Sequence, residues 1–399
     1  MKEHLLKELI TPNDSKIIYL IMDGLGGLPL TPDGKTELET ARTPNLDRYA
    51  QEGITGLLDP MSPGITVGSG AGHLALFGYD PSEYIIGRGV LSALGIGFDL
   101  TFRDVAARVN FCTVDNEGKV VDRRAGRIPT ELNKVLCQKI RDNVKLDDGI
   151  EFFIETESEH RALLVLRGDG LAGHINDTDP QQVGVPPLEP HGEDEASQRT
   201  VKYVNQFLSQ VKEILKDEHP ANMVLLRGFA KYNPLPTMEE RYGLKTCAIA
   251  QYPMYRGLAR LVGMEVLPRP ETYEAMWQQL TENYQKYDFF FIHFKKTDST
   301  GEDGDFSKKV SVIEQIDAWV GQLKSLHPNV VVVTGDHSTP SKLREHSWHP
   351  VPVLLWADTV RPDRVSRFGE RECLQGEIGR MLTKHLIILA LAHAQRLKK

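Results

Sequence analysis

Cysteine is scarce and dispersed: four residues in 399, at Cys112, Cys137, Cys247 and Cys373, with no Cys-x-x-Cys pair. That spacing excludes a disulfide scaffold and a cysteine-rich structural zinc site. A basic surplus is also missing. Lysine and arginine total 47 against 55 aspartates and glutamates, a net charge of −8. This balance argues against nucleic-acid or anionic-membrane partners and leaves room only for a local basic pocket. No stretch reaches the ~18 consecutive apolar residues of a membrane span. Met1-Lys2-Glu3-His4 opens without the apolar run of a signal peptide. Internal repeats and low-complexity tracts are absent. What remains, 40% hydrophobic and 26% charged residues, has the balance of a soluble globular protein, and a cytoplasmic one is expected.

Short continuous apolar runs at Ile17–Met22, 247–250, Phe289–Phe294, Val330–Thr334 and 351–356 predict buried strands of a largely parallel sheet. Helical periodicity lies between them at 273–287 and 307–326. In the latter, Val310, Ile313, Ile316, Val320 and Leu323 share one face. The alternation implies an α/β fold with helices on both faces of the sheet. The middle of the chain reads differently. Strand-like runs at 105–114, 152–154, 162–166 and 223–226 mix with helical patterns at 131–141 and 196–215 and a proline-rich loop at 177–190. A second α/β domain, residues 105–235, inserted into a discontinuous first domain of residues 1–104 and 236–399, accounts for the pattern.

Four segments carry candidate chemistry. Asp23 ends the first apolar run, in Met22-Asp23-Gly24-Leu25-Gly26-Gly27, where an acidic residue sits at the carboxyl edge of a sheet. Dinucleotide and P-loop fingerprints both fail at Pro29, which stands where each needs a small residue. Gly68-Ser69-Gly70-Ala71-Gly72-His73 precedes an apolar helical run, so a flexible loop would present backbone N–H groups and a helix N-terminus to an anion beside Ser69. The hydrolase elbow Gly-x-Ser-x-Gly does not fit, because Val67 and Ala71 occupy its glycine positions. The remaining two are His293 to Asp298 with Glu302, and Gly335-Asp336-His337-Ser338 followed by His346-Ser347-Trp348-His349. Oxygen donors with one or two imidazoles suit manganese or zinc better than calcium.

In combination and order these motifs resemble the alkaline-phosphatase superfamily and, within it, cofactor-independent phosphoglycerate mutases of the archaeal type. Asp122-Arg123-Arg124-Ala125-Gly126-Arg127, Glu159-His160-Arg161-Ala162 and Asp177-Thr178-Asp179-Pro180 carry the narrower likeness. The resemblance implies two divalent metal ions, manganese before magnesium or zinc. One would be held by Asp23, Ser69, Asp336 and His337, the other by Asp298, Glu302 and His346. It implies Ser69 as nucleophile, forming a phosphoserine, and 3-phosphoglycerate and 2-phosphoglycerate as the small-molecule partners. Arg123, Arg124, His160 and Arg161 of the inserted domain would bind substrate, with Arg227, Arg256 and Lys295 as further phosphate contacts. A hinge near residues 104 and 235 would let the domains close. Two departures stand out: Glu302 replaces the family's histidine, and His349 stands where many relatives have Asp or Asn. A metal-dependent phosphatase, a homoserine-kinase-like phosphotransferase and a non-catalytic metabolite sensor share the scaffold as alternatives.

Overall fold

A computed structural model describes residues 3–398. The strands, in chain order, are β1 (Ile17–Met22), β2 (Ile54–Asp59), β3 (Asp104–Val114), β4 (Val120–Asp122), β5 (Glu151–Ser158), β6 (Arg161–Arg167), β7 (Met223–Lys231), β8 (Thr246–Ala250), β9 (Glu265–Val266), β10 (Phe289–Phe294), β11 (Val330–Thr334), β12 (Val351–Ala357) and β13 (Gly379–Leu382). They form two sheets in two compact units: residues 1–85 with 235–399, and residues 86–234. The first border falls at 85/86 rather than near 104, because the helix Arg88–Gly95 packs on β3 and β7 of the second unit.

The first unit holds an eight-stranded sheet in the order β13-β2-β12-β11-β1-β10-β8-β9. Every residue of β1, β10 and β11 is buried, as expected of strands covered on both faces. β1 lies between β10 and β11, parallel to both, with Met22 beside Phe294 and Ile21 beside Thr334. Three adjacent strands therefore end at one level, and the segments carrying Asp23, Asp298 and Asp336 leave from the same edge. The sheet is not parallel throughout: β12, the run at 351–356, pairs antiparallel with both β11 and β2.

The helical pattern at 307–326 is realised as a helix, Phe306–Val320, and a separate 3-10 turn, Leu323–Leu326. The break falls at Gly321, which passes close to the Asn45 side chain: a Cβ there would come within 2.8 Å of it. Ile313, Ile316, Val320 and Leu323 nevertheless all reach the core. The second unit has a five-stranded sheet, β4-β3-β6-β5 with β7 on the other side of β3, and its pairings are antiparallel. The helices Thr130–Asn143 and Glu195–Leu215 contribute Leu136, Ile140, Val204, Phe207 and Val211 to its core. All four cysteines are buried and free. No helix among the described residues is long and apolar enough to cross a membrane.

The helix Ser69–Leu76 is seated directly over the Asp336 backbone. A Cβ on Gly72 would lie 2.4 Å from Asp336 O, a contact with backbone that cannot swing aside. Gly72→Ala should therefore destabilise the protein by about 1–3 kcal/mol, the cost of overpacking outweighing alanine's better helix propensity. A thermal melt checks this, and an unchanged or higher Tm would mean that the helix does not press on Asp336.

Candidate active site

Asp23, Asp298, Asp336 and His337 have no solvent exposure. Burying carboxylates together is unfavourable unless protons or cations compensate. Part of the compensation comes from the backbone and Lys295. The Gly24 N–H donates to Asp336 Oδ1 at 3.0 Å, and Gly24 has φ +64°, a conformation that favours glycine. The Lys295 ammonium lies 3.2 Å from Asp23 Oδ2 and also pairs with Asp298. Burial would lower the lysine pKa, but Asp23 and Asp298 outweigh it and hold the ammonium protonated. Behind the centre, buried Lys309 donates to the carbonyl oxygens of Gly24, Gly26 and Thr339 at 2.8–3.3 Å, tying the Asp23 turn to the segment after His337.

Hydrogen bonds assign the imidazole tautomers. Thr339 Oγ1 donates its only proton to Asp298 Oδ1 at 2.6 Å, so it accepts from His337 Nδ1 at 3.0 Å. His337 Nε2 is then a lone pair, 3.2 Å from Asp336 Oδ2 and 3.5 Å from Asp23 Oδ1. Burial keeps this imidazole neutral, lowering its pKa despite both carboxylates. His346 Nδ1 donates to Val67 O at 3.1 Å, which leaves its Nε2 lone pair 3.6 Å from Asp298 Oδ1. Lone pairs facing carboxylate oxygens repel unless a cation lies between them. Both Asp23 oxygens and Asp336 Oδ2 are buried without a hydrogen-bond partner, although His293 and Lys295 approach Asp23, and His73 approaches Asp336, within ion-pairing distance. The donors fit divalent metal ions.

Two donor groups emerge: Asp23, Asp336 and His337; and Asp298, His337 and His346. His337 is common to both, whereas the resemblance assigns it to one metal. Glu302 stands outside both groups, its side chain 53% exposed and its Oε1 3.9 Å from His346 Nε2. Burial, then Asp298, raise its pKa. His349 also joins neither group; its Nδ1 pairs with Ser347 Oγ at 3.0 Å. Ser69 opens its helix, and its Oγ lies 3.2 Å from His337 Nε2. Arg256 is turned to other work, donating to Ala250 O and Leu267 O.

The second unit holds a cavity of about 370 Å³ lined by Arg123, Arg124, His160, Arg161 and Arg227, with Arg108, Asn110 and Arg127 beside them. Sheet register brings them there: Asn110 lies opposite Arg161 on β6, and Arg108 opposite Arg227 on β7. Like charges across a strand pair are unfavourable without an anion. Asp179 relieves part of this repulsion, receiving two 2.8 Å bonds from Arg123 and a 3.4 Å contact from Arg227. The Arg124–Arg127 loop is strained: Ala125, Gly126 and Arg127 all have positive φ, and the Asp122 carboxylate holds the turn through the Arg124 and Gly126 amides. Sequence reasoning missed Arg108 and Asn110. Their alternation with Val105, Ala107 and Val109 along the predicted strand was the available signal.

Fold and site define a class: an α/β protein whose parallel strands end in a buried carboxylate–imidazole centre with divalent-metal donor chemistry. Comparison narrows it. A model for 2,3-bisphosphoglycerate-independent phosphoglycerate mutase matches residues 50–222. The chain is 52% identical to a probable 2,3-bisphosphoglycerate-independent phosphoglycerate mutase of Thermus thermophilus, covering 99% of this chain and 98% of that one. It is 51% identical, with the same coverage, to a protein so named from Aquifex aeolicus. The solved cofactor-independent phosphoglycerate mutase of Thermoplasma acidophilum superposes with a TM-score of 0.74 at 31% identity, over 95% of this chain and all of that one (100%). The chain belongs to the 2,3-bisphosphoglycerate-independent phosphoglycerate mutase family.

Burial, followed by the charge of Arg161, depresses the His160 pKa to about 4 from 6.5. The stability this contributes is fully present above about pH 6.5 and is lost as the pH falls through about 4, because the unfolded imidazole protonates first. An anion among the arginines would offset their repulsion. NMR titration should therefore find His160 near 4 in the free protein and higher at saturating inorganic phosphate. An unmoved pKa would mean that phosphate does not occupy this cavity.

Proposed function

We propose that this protein interconverts 3-phosphoglycerate and 2-phosphoglycerate without 2,3-bisphosphoglycerate, in glycolysis and gluconeogenesis, with Ser69 carrying the phosphoryl group between the two positions. The observation that carries the reading is Ser69 Oγ at a helix N-terminus, 3.2 Å from an imidazole lone pair that belongs to both metal-donor groups. Family membership favours a mutase over the phosphatase, kinase-like and sensor alternatives. A cytoplasmic location fits such an activity.

Asp23, Asp336 and His337, with Ser69, would hold one divalent ion; Asp298, His346 and Glu302 would hold the other. Manganese suits this oxygen-rich set, with magnesium or zinc as substitutes. A divalent ion bound there supplies positive charge that favours the ionised serine oxygen and neutralises phosphoryl oxygens. The protein's own residues do the rest. Ser69 Oγ attacks phosphorus, and the bond to the glycerate oxygen breaks with its electron pair going to that oxygen, which gains a proton. The glycerate reorients, its other hydroxyl loses a proton and attacks the phosphoserine, and Oγ departs with the electron pair. Lys295 contributes fixed positive charge beside the carboxylates. The amides at the start of the Ser69 helix favour phosphoryl oxygens. Arg123, Arg124, His160, Arg161 and Arg227, joined by Arg108, are assigned to the phosphate and carboxylate of the glycerate, which guanidinium forks match in geometry.

The purified protein, given 3-phosphoglycerate and manganese with no 2,3-bisphosphoglycerate, should form 2-phosphoglycerate. Ser69→Ala should retain the fold and less than about a hundredth of the turnover, the scale expected on losing a nucleophile. Substantial activity in that variant rejects covalent catalysis through Ser69.

Glu302 allows a separate check. Its carboxylate makes the second set harder and more anionic than an imidazole would. Glu302→His should shift metal preference toward zinc with mutase activity kept, and Glu302→Ala should lower occupancy at one of two sites. Two full equivalents of metal in Glu302→Ala would remove Glu302 from the ligand set, unless adding His349→Ala exposes compensation.

A further inference from the structure

Ser69 Oγ receives a second contact, from the residue beside Arg256, to which the sequence assigned no role. Tyr255 lies in the helix Pro253–Leu261, fully buried, and its phenol donates a hydrogen bond to Ser69 Oγ at 3.3 Å. The ring is held by stacked neighbours. It lies on His293 at 3.8 Å between centroids and 27° between planes, with His73 at 4.6 Å. His73 is itself anchored, its Nδ1 donating to Ser69 O at 2.8 Å. The phenol is thus aimed by packing, as pre-organised transition-state donors are.

The competing contact is unsuited to the same task. His337 Nε2 is a lone pair facing Asp23 and Asp336, and it belongs to both donor groups. As an acceptor it cannot stabilise negative charge on Oγ, and a cation bound there would occupy the lone pair. Among the described residues, Ser69 Oγ hydrogen-bonds two side chains: it donates to His337 Nε2 and accepts from the Tyr255 phenol. The donor's task therefore falls to the tyrosine.

We propose that Tyr255 is a further catalytic residue: its phenol O–H is the fixed hydrogen-bond donor to Ser69 Oγ whenever that oxygen carries negative charge. This rests on the reading of Ser69 as nucleophile. In the first transfer the Oγ–P bond forms and the bond from phosphorus to the glycerate oxygen breaks. In the second the new glycerate oxygen bonds to phosphorus and Oγ leaves with the electron pair. The glycerate gains one proton and gives up another, and Tyr255 keeps its own throughout. A phenol ordinarily keeps its proton up to a pH of about 10, so near neutral pH it donates without ionising.

The neighbouring residue explains why the donor is neutral. Arg256, on the same helix, spends its guanidinium on the carbonyls of Ala250 and Leu267. Fixed positive charge at the carboxylates comes instead from Lys295, which pairs with Asp23 and Asp298. A neutral phenol stabilises Oγ without adding a second cation that would compete with a metal ion for Asp23.

Tyr255→Phe removes the hydroxyl and keeps the ring on His293. Manganese-loaded wild type and variant are compared with 3-phosphoglycerate for kcat, KM, bound metal, Tm and the phosphoserine trapped by acid quench during turnover. The expected result is kcat about 100- to 1000-fold lower, the scale of losing one oxyanion donor, with KM within about threefold and metal content equal. The phosphoserine fraction should rise, because an oxygen without its donor is a poorer leaving group. A kcat within about twofold of wild type overturns the proposal. So does a variant that loses metal or melts about 10 °C lower, since Tyr255 would then act through packing. A wild-type enzyme that turns over but never carries phosphoserine overturns the Ser69 reading first, and the two failures are told apart by the wild-type trap alone.

Discussion

Three aspartates without solvent exposure, Asp23, Asp298 and Asp336, set the terms for the first unit. Their mutual repulsion in a low-dielectric interior would be prohibitive if each stood alone. The surrounding chain neutralises them in stages. Backbone amides and Lys295 take some oxygens, and Thr339 takes another of Asp298. The remaining lone pairs, together with those of His337 and His346, converge on positions suited to cations. The centre's charge pattern is therefore both its cost to folding and its means of binding metal.

Lys309 shows how the fold holds that arrangement. Its ammonium, fully buried, bonds three backbone carbonyls drawn from the Asp23 turn and the segment after His337. Burial lowers its pKa, while Glu37 and Glu370 oppose that shift. A cation bonded to carbonyls rather than to the aspartates themselves fixes the loops without consuming the metal's ligands. Lys295, by contrast, pairs directly with Asp23 and Asp298, so it is the cation that a bound metal must work beside or displace.

The second unit faces the opposite electrostatic problem. Register on its antiparallel sheet sets Arg108 against Arg227 and Asn110 against Arg161, and a strained turn adds Arg124 and Arg127. Asp177 and Asp179 neutralise only part of this charge. Guanidinium groups gathered at that density are stabilised by an anion, as buried carboxylates are by a cation. A phosphorylated hydroxy acid supplies phosphate and carboxylate in one molecule.

Much of this was legible in the chain. Continuous apolar runs marked β1, β10 and β11 because strands buried on both faces cannot alternate, and the residues just beyond those runs marked the carboxyl edge. Arg123, Arg124, His160, Arg161 and Arg227 were likewise visible as cations within motifs. The antiparallel direction of β12, the break at Gly321 and the sharing of His337 between two donor groups were not visible, and neither was the diversion of Arg256 to backbone carbonyls. The tertiary structure alone brought Tyr255 to Ser69, from 186 residues away in sequence. The physical reason is range. Periodicity and chain-end residues are local properties that a strand or helix expresses through its own hydrogen bonds and burial. Which side chains meet depends on strand order, register and the tautomers chosen by a buried hydrogen-bond network, and those are settled only when distant segments pack together.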